Sequence, residues 1–126
     1  MNQTLSFRLP TLVVALLLAL GLLTRAQAQN SSSLSLLDDA YVTLSHADHD
    51  YKGHRAKAMN QIKLAVKELG GNISGKGKGH EPQGTSDAQL RAAIGLLQDA
   101  KAGLAGKPLK HVNLAIEQLN TALTIK

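Results

Sequence analysis

The strongest constraint on the fold of this chain is a helical apolar pattern that is written twice. Leu37, Ala40, Tyr41, Leu44 and Ala47 recur 53 positions later as Leu90, Ala93, Ile94, Leu97 and Ala100. His54, Ala58, Met59, Ile62, Ala65 and Val66 recur 57 positions later as His111, Ala115, Ile116, Leu119, Ala122 and Leu123. Steps of three and four place each set on one face of an α-helix. A lone hairpin of two such helices cannot bury its stripes, whereas two facing hairpins can. The expectation is therefore all-α: a duplicated αα-hairpin closed into an up-down-up-down four-helix bundle. The difference between the two shifts falls in the turns and makes the second one longer.

Local signals set the expected boundaries. The first helix is predicted over 33–50, capped by Ser33 or Ser35, with Asp38 and Asp39 near its positive end. Tyr51-Lys52-Gly53 breaks it. The second is predicted over 54–69, ended by Gly70-Gly71. Ser86 suits the cap of a third helix over 86–104, which Gly103 and Gly106 end. Pro108 suits the first turn of a fourth helix over 108–124. Between the hairpins, residues 70–85 hold six glycines, two lysines and one proline and have no period, which reads as a flexible linker. A Walker phosphate loop needs Gly-Lys-Ser/Thr after a strand, and none precedes this run.

Residues 1–28 read as an export signal rather than as part of the bundle. Arg8 is followed by an almost purely apolar run from Thr11 to Leu23, and Ala26-Gln27-Ala28 offers the small residues a signal peptidase reads. The run is shorter than the roughly 20 residues of a membrane-spanning helix. Cleavage after Ala28 would leave 98 residues, enough for one domain, with a mild formal charge of +3. The expected location is the periplasm or the exterior, with no stable membrane insertion and a monomeric state. There is no cysteine, hence no disulfide and no lipid-modified cysteine. Nucleic-acid binding would need a basic stripe with aromatics for stacking, and the mature part has only Tyr41 and Tyr51.

The chemistry-bearing residues gather in His46-Ala47-Asp48-His49-Asp50-Tyr51-Lys52-Gly53-His54, which holds three of the five histidines. Imidazole and carboxylate suit divalent transition metals. If the first helix reaches residue 50, then His46, His49 and Asp50 share one exposed face through i, i+3 and i, i+4 spacing. An up-down-up-down order would also put both hairpin turns at one end, so that His54 and His111 could approach each other with Asp48 nearby. The expected metal ligands are therefore His46, His49, Asp50, His54 and His111. The plain alternative is polar residues at solvated helix ends. His80-Glu81 in the linker is a weaker candidate. No zinc-protease His-Glu-x-x-His and no Glu-x-x-His di-iron pattern occurs, and no serine–histidine–acid set is recognisable, so catalysis is not expected.

Ser45-His46-Ala47, Lys52-Gly53-His54 with Ala58, and Leu109-Lys110-His111 followed by Leu114 to Leu119 give the chain a family likeness over about residues 40–123. It resembles the small metal-binding protein family: exported four-helix bundles made from histidine-bearing helical repeats. The resemblance implies binding of several divalent ions, copper above all, through histidines that land on His46, His49, His54 and His111. This chain departs from the pattern in having only five histidines, and Gln61, Lys101 and Gln118 stand where more would be expected. The leading expectation is a non-enzymatic binder of divalent metal, copper first, for buffering or sequestration. The rival is a structural or protein-interaction module of the cell envelope that holds no metal.

Overall fold

The computed structural model describes residues 30–48, 51–73 and 83–125. Residues 1–28, read above as an export signal, together with His49, Asp50 and most of the Gly/Lys linker, including His80, lie outside them. The described residues form four helices: α1 over 30–46, α2 over His54–Glu68, α3 over Gln83–Lys101 and α4 over Gly106–Leu123. No strand is present among them, and none of these helices is long and apolar enough to cross a membrane. The protein is an all-α four-helix bundle of two αα-hairpins.

Its core is the doubled stripe. Leu37, Leu44, Ile62, Leu90, Leu97, Val112 and Leu119 are fully buried, with Ala40, Ala47, Ala58, Ala65, Ala93, Ala100, Ala115 and Ala122 between them. Ile94, Ile116 and Leu123 are partly buried against that core. Alternation of leucine-sized and alanine side chains lets the helices approach closely while filling the interior.

The order of helix directions differs from the expected up-down-up-down. Near the start of α1, the Ser33 hydroxyl meets the carbonyl of Ala100 near the end of α3. Just beyond the end of α1, the Asp48 amide donates to Ser86 in the first turns of α3. These contacts make α1 and α3 antiparallel. His54 and Gln61 of α2 pair with Gln118 and His111 of α4 respectively, which makes α2 and α4 antiparallel as well. The directions are therefore up-down-down-up, and the two hairpin turns lie at opposite ends. Ile73 and Gln83, the described residues on either side of the linker, therefore lie toward opposite ends of the bundle. Ten Cα steps reach about 33 Å when extended, and α2 with its 15 residues is about 22 Å long.

The element ends also differ from expectation, for identifiable reasons. Helix α1 stops at 46 rather than 50. The carbonyl of Leu44, which a continuing helix would bond to the Asp48 amide, accepts the Arg55 guanidinium and the Ala47 amide instead. Ser33 and Ser86 are not caps: both lie inside their helices, at 2% and 0% exposure, and face the other hairpin. The expected end of α2 is present. Gly70, at φ +82°, and Gly71 send their amides to the carbonyls of Lys67 and Val66, which is the Schellman closure.

Truncating Leu44, Ile62, Leu97 or Leu119 to alanine should cost about 2–5 kcal/mol each in denaturant unfolding. Val42→Ala, at an exposed site on α1, should change stability by about 0.5 kcal/mol or less.

Candidate functional site

The residues expected to hold metal divide between the two halves of the bundle. His46 is exposed and ends α1. His54 begins α2 after a turn in which Lys52 and Gly53 both take positive φ, +50° and +84°. A side chain at position 53 would be strained there, so glycine keeps the turn tight. His46 and His54 thus flank the first turn. Their expected companions His49 and Asp50 lie outside the described residues. Because α1 ends at 46, the i, i+3 and i, i+4 spacings proposed for them do not run along that helix.

His111 does not join this group. Nδ1 of His54 lies 2.7 Å from Oε1 of Gln118, and Nδ1 of His111 lies 2.8 Å from Oε1 of Gln61. The two pairs are seven residues apart on each helix, about 10 Å along the axis. That separation is too large for the two imidazoles to share one ion. The expected approach of His54 to His111 is therefore corrected: each ring faces a glutamine. Among the described residues no group of three histidine, aspartate or glutamate side chains is close enough to hold a metal ion.

Both pairs have the same chemistry. An amide oxygen only accepts, so Nδ1 of each neutral ring carries the proton and Nε2 keeps its lone pair. Each ring is half-buried and held in orientation by its glutamine. The sequence carried a signal for this: Gln61 and Gln118 are related by the same shift of 57 as the two histidines. They were legible only as missing histidines until the helix directions were known.

A second polar cluster, which sequence reasoning did not single out, sits behind the first turn. Tyr51 is fully buried, and its hydroxyl donates to Oδ1 of Asp87 at 2.7 Å. Arg55 is 5% exposed. Its Nη1 donates to the Leu44 carbonyl at 2.6 Å and lies 3.4 Å from Sδ of Met59. Its buried Nε has no hydrogen-bond partner among the described residues. Burial pushes the Arg55 pKa down, against the opposing pull of Asp48 and the two tyrosines. The guanidinium thus places positive charge at the C-terminal end of α1, where the helix dipole favours it. Farther along, Lys63 lies 5.4 Å over the Tyr41 ring. The Tyr51–Asp87 bond fastens the first turn to α3.

No protein-family model matches the sequence, and no curated protein and no solved structure matches it.

Burial, followed by the hydrogen bond to Asp87 and its charge, pushes the Tyr51 pKa well above the usual value of about 10. The folded state therefore holds this proton more tightly than the unfolded chain. The resulting stability is fully present below pH about 10 and is lost as pH rises beyond it. Tyr51→Phe should cost about 1–3 kcal/mol at neutral pH. In urea titrations it should also flatten the loss of stability above pH 10.

Proposed function

We propose that this protein binds a divalent transition metal, copper first, at its first turn, and that it buffers or sequesters the ion in a cell-envelope compartment without catalysing a reaction. The observation that carries this reading is the hydrogen bond of His54 Nδ1 to Gln118. A metal-binding histidine commonly donates its second ring N–H to an oxygen, which fixes the tautomer and orients Nε2 toward the ion. His46, exposed across the same turn, supplies a second imidazole. His49 and Asp50, between them in the sequence, complete the proposed donor set. His111 is left out of it by its place in the other half of the bundle. The envelope setting rests on the export-signal reading of residues 1–28, and copper rests on the resemblance to small metal-binding proteins.

One observation favours the rival. His111 makes the same bond to Gln61 with no cluster of metal-type side chains beside it among the described residues. A His–Gln pair can therefore serve as a packing device alone, and the protein would then be a small helical scaffold or interaction module.

Copper(II) titration of the chain from Gln29 onward separates the two readings. The metal reading expects His46→Ala and His49→Ala to weaken binding at least 10-fold, and Gln118→Leu to weaken it by about 10- to 100-fold. His111→Ala should leave the isotherm unchanged. Binding needs deprotonated ligands, so affinity should fall as the solution is acidified. Copper at 100 times its Kd should add about 2.7 kcal/mol of stability. An isotherm indifferent to His46 and His49, or a melting temperature unmoved by copper, supports the scaffold.

A further inference from the structure

Four contacts between the two hairpins follow the internal repeat, while the Tyr51–Asp87 bond does not, since its counterpart positions hold Leu104 and Leu34. Under the shift of 57, the pair His54–Gln118 becomes the pair His111–Gln61, and both bonds are present. Under the shift of 53, Ser33 becomes Ser86 and Ala47 becomes Ala100. Ser33 meets the backbone at Ala100, and Ser86 meets the backbone at Asp48, next to Ala47. The two His–Gln pairs are equivalent under an approximate two-fold relation perpendicular to the helices, and the serine contacts follow it to within one residue: Ser33 donates to the carbonyl of Ala100, and Ser86 accepts from the amide that follows Ala47. At these positions each hairpin presents to the other what the other presents to it. This approximates the isologous relation of a symmetric homodimer, here formed within a single chain.

We propose that the hairpins exchange between copies of this chain: the first hairpin of one molecule packs on the second hairpin of another, giving a closed two-fold dimer. Every contact between hairpins in the dimer is one that the monomer already makes, so exchange exposes no new apolar surface. What favours the monomer is the tether between the hairpins, which holds the second hairpin near the first at a millimolar-scale effective concentration. Because the helix directions are up-down-down-up, the two described ends of the tether, Ile73 and Gln83, lie toward opposite ends of the bundle. Its length therefore decides whether a hairpin finds its own partner or that of a second copy.

Deletion of residues 74–80 from the chain tests this. Three Cα steps, about 11 Å, would remain between Ile73 and Gln83, against a bundle length of about 22 Å. The proposal expects twice the monomer mass in size-exclusion chromatography with light scattering, with helical content unchanged. A folded monomer overturns it. A second measurement uses the intact chain, unfolded in urea and refolded at about 1 mM and at about 1 μM, on the scale of the tether's effective concentration. The expected result is a dimer at the higher concentration that survives dilution until it is unfolded again. An unfolded deletion variant together with monomer alone at both refolding concentrations overturns the proposal. Dimer formation in the refolding experiment upholds it even if the deletion variant does not fold.

Discussion

Two hydrogen bonds, His54 to Gln118 and His111 to Gln61, set the direction and register in which α2 passes α4. Leucine and alanine stripes are permissive surfaces: they bury well in more than one alignment. A half-buried ring and a half-buried amide are less tolerant, because a slip leaves donors and acceptors unpaired. Each bond contributes only about 0.5–1.5 kcal/mol when made, but each group left unsatisfied costs about 1–3 kcal/mol. The discrimination against misaligned packings is therefore larger than the bonds' own contribution. Polar groups at helix interfaces act in the same way when they fix the register of coiled coils.

Most of the bundle was legible in the sequence, since burial follows periodicity. Leu37, Leu44, Leu90 and Leu97 lie where their spacing puts them, and so do Ala58, Ile62, Ala115 and Leu119. Helix direction was not legible, because an apolar stripe carries no sign of which way its neighbour runs. The ends of the helices failed for a related reason. Ser33 and Ser86 have the chemistry of caps, but their hydroxyls are used across the hairpin interface. Helix α1 ends early because Arg55, eleven residues along the chain, takes the Leu44 carbonyl. Such long-range competition for a backbone group leaves no local trace.

The direction of the helices also reshapes the candidate site. With both turns at one end, four histidines would have stood together. With the turns at opposite ends, His111 belongs to the second hairpin's half of the bundle, and only the proposed ligands of the first turn remain near one another in the chain. His54 is half of a helix-pairing bond with Gln118, and the proposed metal reading gives it a second duty as an oriented imidazole. The buried Tyr51–Asp87 and Arg55–Leu44 contacts hold that turn against α3 and α1.

Helix direction can be measured directly. Spin labels on cysteines introduced at Lys52 and Ala102, both exposed and one in each hairpin turn, would report the distance between the turns. The up-down-down-up arrangement predicts a distance on the order of 25–30 Å, the length of these helices. A distance on the order of 10–15 Å, as neighbouring helix ends would give, would put both turns at one pole and contradict the pairing described here.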